Sequence, residues 1–113
     1  MEKFSLSALA RQQLELAGGV ERTQRIEVYG GHEHSLGQTV IALAAGRTLE
    51  EHENPGEATV HVLHGRVRLA SAQDSWEGSP GDLLIVPDSR HSLEALEDSA
   101  VLLTVAMNRS LSS

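Results

Sequence analysis

The feature that most constrains this chain is a series of nine short runs rich in Val, Ile, Leu and Thr, separated by Gly, Pro, Asn, Asp and Ser. Short apolar runs between turn-forming residues are typical of β-strands, and many such strands at close spacing predict a sandwich or a barrel. We therefore predict an all-β domain over residues 20–107. The predicted strands are 25–29, 36–44, 48–53, 58–64, 66–72, 75–77, 82–86, 91–96 and 100–106.

A different pattern precedes the strands. Residues 6–17 predict a short α-helix, because apolar side chains recur at about 100° per residue, a serine can cap the start and Gly18-Gly19 ends it. We expect its apolar arc, which Gln13 interrupts, to pack on the barrel of the same chain or on a partner chain. The arc consists of Leu6, Leu9, Ala10, Leu14, Leu16 and Ala17. The predicted organisation is a helical segment (1–19), a barrel (20–107) and a flexible tail (108–113).

Composition excludes several classes of protein. The 113 residues suit one domain, and the absence of cysteine excludes disulfides, thiolate metal sites and thiol nucleophiles. A formal net charge of −7 argues against nucleic acid and anionic lipid as partners. The longest apolar runs, such as 101–106, are too short to span a bilayer. We predict a cytoplasmic protein without nucleic-acid or membrane partners.

Alternation along the strands predicts which side chains face the interior. In 58–64, the small apolar set that begins with Ala58 suits the inside, which places His61 on the outer face. In 91–96, His91 shares its face with Leu93 and Ala95. His91 is therefore expected to point inward, as a pocket residue at the end of a barrel would.

Two half-patterns stand out within these strands. The first reads Gly46-x5-His52-x-Asn54-x2-Glu57-Ala58-x6-Gly65, and the second reads Gly81-Asp82-x4-Pro87-x3-His91. In this order they resemble the two signature motifs of the cupin superfamily. The resemblance implies a small single-domain cupin: a double-stranded β-helix, or jelly-roll barrel, with a short N-terminal α-helix. It also implies that the barrel holds a pocket lined by residues of both motifs.

The departures from the family pattern fall on its metal ligands. In metal-binding cupins three histidines and one glutamate hold Fe, Mn, Ni or Zn, ions suited to such donors. Here Asn54 and Ala58 stand where the second histidine and the glutamate are expected, and His91 follows Pro87 one residue early. Glu57 precedes the expected position, so it would need a bulge to turn inward.

Two versions of the site follow from the resemblance. One is a pocket without metal, in which His52, Asn54, Glu57 and His91 provide the polar lining. The other holds one divalent transition metal (Fe, Mn, Ni or Zn) on His52, Glu57 and His91.

Outside the motifs, His32-Glu33-His34 forms a further His-x-His pair. On an extended segment both imidazoles would share a face and could bind Zn or Ni, or form one wall of the pocket mouth. Arg90, beside His91, could meet an anionic ligand at the rim.

Three functions fit the sequence. The first is a cupin that binds a small polar ligand with a degenerate or absent metal site. The second is a metal-dependent enzyme of dioxygenase or isomerase type, and the third is a non-catalytic structural dimer. No catalytic residue is assigned, so enzymatic activity stays open. We expect a homodimer, because the helix and the apolar faces of residues 83–86 need covering.

Overall fold

The computed structural model describes residues 2–31, 34–51, 56–87 and 90–107. It confirms the helix and the nine predicted strands, with strand ends within two residues of those expected. None of the described residues forms a helix long and apolar enough to cross a membrane. The elements are α1 (Leu6–Ala17), β1 (Thr23–Tyr29), β2 (Leu36–Leu43), β3 (Thr48–Glu51), β4 (Gly56–His64), β5 (Val67–Ser71), β6 (Ser75–Gly78), β7 (Leu83–Ile85), β8 (His91–Ala95) and β9 (Ser99–Met107).

The strands form two antiparallel sheets. The five-stranded sheet has the order β1-β2-β9-β4-β7, and the four-stranded sheet has the order β3-β8-β5-β6. The inner faces pack on each other because every second residue of these strands is apolar. The buried core draws on both sheets and comprises Ile41, Leu43, Ala58, Val60, Val62, Val67, Leu69, Val86, Leu93, Ala95 and Val101.

The helix covers part of the outer face of the five-stranded sheet. Ser5 caps its start by accepting a hydrogen bond from the Ala8 N–H at 3.2 Å, as the sequence predicts. Helix α1 packs across β1, β2 and β9 of its own chain. Beneath it lie buried outer-face residues that alternate with the core: Val40, Ala42, Ala100 and Leu102.

Two details of the helix prediction are wrong. Leu16 is 52% exposed, whereas Gln13 is only 4% exposed. The buried residues of the helix are Ala10, Gln13 and Ala17. The small side chains of Ala10 and Ala17 allow the helix to approach the sheet. Leu16 lies at the edge of the predicted arc, so it misses this contact.

The inward phase predicted for β4 is confirmed for its first part. Ala58, Val60 and Val62 are buried, and His61 is half-buried on the opposite face. The pairing of β4 with β9 shifts between Val62 and His64. After this irregularity His64 is exposed rather than in phase with the core.

The strand register places four connections at one end of the barrel, which we call the mouth. Ser71 and Glu51 both pair with His91 there, and Gly56 pairs with Met107. Consequently β3 connects to β4, and β7 to β8, at this end, between the two sheets. The β1–β2 and β5–β6 connections lie at the same end.

Candidate functional site

His91 is the described residue that identifies the site. It begins β8 and is paired with Glu51 of β3 on one side and Ser71 of β5 on the other. His91 is half-buried and shares its face with the buried Leu93 and Ala95, so its predicted inward phase is confirmed. The interior face of the four-stranded sheet is therefore apolar at Leu93 and Ala95 and carries the imidazole of His91 at the mouth.

The five-stranded sheet supplies an apolar wall at the same end. Ala58 is buried and pairs with Val105, which pairs in turn with Gly37 of β2. The buried Val86 continues this wall, since its N–H donates to the Ala58 carbonyl at 3.0 Å. Gly37 has no side chain and Ala58 has only a methyl group, so this part of the wall consists of small residues. Alternation alone could have identified this wall, and the sequence prediction named only Ala58.

Ser71 does not extend the polar surface of this row. Its hydroxyl accepts from the N–H groups of Gln73 and Asp74, at 3.4 and 3.3 Å, and closes the turn between β5 and β6. Such side-chain to backbone bonds are how serine stabilises a turn. His91 is thus the described polar residue of this row that shares the inward face of β8 with Leu93 and Ala95.

Glu57 lies on the other side of β4. Its side chain is exposed, while its neighbour Ala58 is buried. The pairing with β9 is regular from Gly56 to Val62, so no bulge re-aims this carboxylate. The structure therefore does not bring Glu57 together with His91.

His52 and Asn54 lie outside the described residues. The strand that leads to them is nevertheless informative, because Glu51, directly before His52, pairs with His91. The two half-patterns of the sequence thus converge at the mouth through the β3–β8 ladder. Their predicted roles in the pocket stay predictions.

The described residues do not fit the ligand set of metal-binding cupins. The methyl group of Ala58 occupies the position of the glutamate ligand, and Glu57 faces away. Among the residues that the structure describes, no group of three His, Cys, Asp or Glu side chains could hold a metal ion. Protein sites for such ions usually offer three or four donors, and His91 is the one predicted ligand that the described part of the chain places on the inward face.

Of the His-x-His pair, His34 is among the described residues, whereas His32 and Glu33 lie outside them. His34 is exposed, and its Nδ1 lies 3.1 Å from the Tyr29 hydroxyl, with the ring centroids 4.4 Å apart. Tyr29 pairs with Gln38, which places the contact on the outer side of the sheet. Arg90 is exposed directly before His91, and its contact with an anionic ligand stays a prediction.

Comparisons with solved structures identify the fold. A conserved protein of unknown function from Streptococcus pyogenes is 22% identical, with a TM-score of 0.76 over 96% of this chain and 90% of its own. A cupin superfamily protein from Desulfitobacterium hafniense is 16% identical, with a TM-score of 0.71 over 82% of this chain and 88% of its own.

A third similar structure is the Cupin_2 domain of an XRE family transcriptional regulator from Enterobacter cloacae. It is 15% identical, with a TM-score of 0.62 over 74% of this chain and 92% of its own. No protein-family model matches the sequence, and no curated protein matches it significantly. The two sheets, their order and these similarities agree with the resemblance of the half-patterns: this chain has the cupin fold, a jelly-roll barrel with a short N-terminal helix.

Proposed function

We propose that this protein is a binding module that takes up a small polar molecule at the mouth of its barrel. The observation that carries this proposal is the inward, half-buried His91 at the same end as the small apolar wall of Gly37, Ala58 and Val105. An apolar pocket with a few placed polar groups is the usual form of a small-molecule site. Imidazole nitrogens form hydrogen bonds with hydroxyl, carbonyl and carboxylate groups.

The predicted lining extends this recognition surface. His52 and Asn54 would add a second imidazole and an amide, so the pocket would offer further hydrogen-bond donors and acceptors. Arg90 at the rim would favour ligands that also carry an anionic group. With no catalytic group assigned, sensing or delivery of a ligand fits better than turnover. The occurrence of a similar fold in a transcriptional regulator supports this role.

The test is a thermal-shift screen with hydroxy acids, simple sugars and amino acids as probes. A probe at about 100 times its dissociation constant adds about 2.7 kcal/mol of stability, which raises the melting temperature by roughly 10 °C in a domain of this size. We expect His91→Ala to abolish the shift of any active probe. His64→Ala, which removes an exposed imidazole near the opposite end of β4, should leave it unchanged.

If a probe raised the melting temperatures of His91→Ala and His64→Ala equally, the proposed site at His91 would be contradicted. The metal-dependent alternative is measured in parallel, by elemental analysis of untagged protein and by thermal shift with Mn, Fe, Ni, Zn and Co ions. Near-stoichiometric metal that His52→Ala removes would replace the proposed function with the metal-dependent one.

A further inference from the structure

Trp76 is an inward-facing side chain that stays exposed. It pairs with Leu69 of β5, and residues directly opposite each other in an antiparallel pair point to the same face of the sheet. Leu69 is fully buried in the core, so Trp76 points toward the space between the two sheets. Trp76 is nevertheless 46% exposed, although it is the only tryptophan of the chain. The indole therefore lines a space that the described part of the chain leaves open.

The two sheets move apart between Gly78 and Trp76. A Cβ at Gly78 would lie 2.9 Å from Cγ2 of Val62 and 3.1 Å from Cδ1 of Leu84, so the sheets are in close contact there. Trp76 lies on the same face of β6, two residues nearer the mouth. A methyl group is crowded at Gly78, whereas the much larger indole is half exposed at Trp76. A cleft therefore opens toward the mouth between the edge strands β6 and β7.

The opposite wall of this cleft is apolar. Strand β7 returns toward the mouth, so Val86, two residues after Leu84, lies on the mouth side of the Gly78 contact. Val86 is buried, and its N–H donates to the Ala58 carbonyl within the apolar wall described above. The cleft is thus continuous with the proposed binding site. An enclosed apolar position of this kind suits a small molecule.

Trp76 and His91 lie within reach of one small ligand. Both are on the inward face of the four-stranded sheet: Trp76 is in the row of Leu69 and Leu93, and His91 is one row nearer the mouth. Two strand spacings of about 4.8 Å and two residues of about 3.4 Å separate their Cα atoms by roughly 12 Å. A hydrogen bond and a stacking contact together span about 6–7 Å, which leaves about the width of one six-membered ring.

We propose that Trp76 is a specificity-determining platform of the mouth and that the ligand is a ring-bearing polar molecule. This inference rests on the proposed function. One face of the ring would stack on the indole, while a hydroxyl or carboxylate substituent would bond to His91. An open-chain molecule with the same polar groups would reach His91 but leave the indole uncovered. The chemistry shared by cyclic sugars and cyclic acids meets these requirements.

The test compares ring and open-chain probes that carry the same kind of polar group: glucose with glucitol, and cyclohexanecarboxylate with hexanoate. Titrations are followed by the fluorescence of Trp76, which reports this position alone because the chain has one tryptophan. We expect a ring probe to shift the emission to shorter wavelength and to bind about tenfold more tightly than its open-chain counterpart. The pair that shows this preference identifies the ligand as a sugar or as an acid.

Variants separate the platform from the rest of the site, with calorimetric titration as the measurement. Trp76→Leu should remove the ring preference and leave open-chain binding intact, whereas Trp76→Phe should retain most of the preference. Leu83→Ala is the matched control, because it shortens an exposed apolar side chain on the outer face of β7 and should bind as the parent does. Circular dichroism checks that each variant folds.

The possible failures can be told apart. Equal affinities for ring and open-chain probes, or a preference that survives in Trp76→Leu, would overturn the inference, while loss of binding in His91→Ala would still support the proposed function. If no probe binds, or if His91→Ala binds as the parent does, the proposed function fails and this inference fails with it. An emission shift that follows protein concentration without any probe would assign Trp76 to a contact between copies and overturn the inference.

Discussion

At the residue scale, Gly46 and Gly65 of the first half-pattern differ in the space around their Cα atoms. Both have positive φ angles, +89° at Gly46 and +80° at Gly65. A Cβ at Gly46 would meet nothing within 4 Å, whereas one at Gly65 would lie 2.3 Å from the Asp98 carbonyl oxygen and 2.9 Å from the Ser99 Cα. The motif spacing alone treats them as equivalent, because conflict with a distant strand cannot be read from a local pattern.

This difference gives a direct prediction. Gly46→Ala should lower the free energy of unfolding by about 1–2 kcal/mol, the cost of a left-handed backbone for an L-residue. Gly65→Ala should lower it by about 3–5 kcal/mol, because displacement of the β8–β9 turn is added to that cost. Urea unfolding monitored by circular dichroism measures both variants. A smaller decrease in the free energy of unfolding for Gly65→Ala than for Gly46→Ala would show that the β8–β9 turn moves at little energetic cost.

Also at this scale, alternation predicted the site only where the strand is regular. It correctly placed Ala58 and His91 inside, since both lie in uninterrupted ladders. The pairing of β4 with β9 shifts after Val62, so the regular alternation ends there and His64 is exposed at the end of the strand. The bulge invoked to turn Glu57 inward is absent, and the single-sequence pattern had no signal that could decide this.

At the scale of elements, the strands could be predicted more completely than the helix contact. Apolar runs between turn residues located all nine strands, because both strand content and turn content are local. The face that α1 buries depends on the surface beneath it. Small residues such as Ala42 and Ala100 line that surface, so Ala10 and Ala17 make the contact instead of Leu16.

Cross-strand ion pairs on the four-stranded sheet give an element-scale prediction. Arg68 of β5 donates to Glu77 of β6 at 3.0 Å, and Arg66 reaches the same carboxylate. The hydrogen bond from Arg68 lowers the pKa of Glu77, and the charges of Arg66 and Arg68 add to this while desolvation opposes it. The stabilisation is therefore present above the unfolded-state pKa, about 4.3, and is lost as pH falls through the lower folded-state pKa.

We expect Glu77→Gln to destabilise the protein at neutral pH and to converge with the parent chain in acid. Urea midpoints between about pH 7 and pH 3 measure the effect, and added salt should reduce it because the pair is exposed. Glu15→Gln is the control, since Glu15 is exposed on α1 and makes no ion pair among the described residues. A difference for Glu77→Gln that persists in acid would assign its effect to packing rather than to charge.

At the scale of the whole molecule, the site depends on how two sheets meet. Segments of the two motifs that are far apart in sequence meet because β3 and β8 are neighbours in one sheet, where Glu51 pairs with His91. Family resemblance implied this convergence, and composition or periodicity could not have done so. What resemblance could not decide is the chemistry, because Ala58 provides no carboxylate and Glu57 faces outward.

Restoring the missing carboxylate tests this arrangement across the barrel. Ala58→Glu buries an ionisable group on the apolar wall and should lower the free energy of unfolding by about 3 kcal/mol without metal. If the wall faces His91 and His52 lies beside it, as the first motif implies, Ni²⁺ or Zn²⁺ would gain three ligands and restore stability. Val60→Glu is the matched control, because Val60 is buried on the same face of β4, one row deeper than Ala58. The melting temperatures of Ala58→Glu and Val60→Glu are compared with and without metal. Rescue of Ala58→Glu alone would place position 58 within reach of the mouth histidines, whereas equal behaviour of the two variants would mean that the wall and His91 do not face each other.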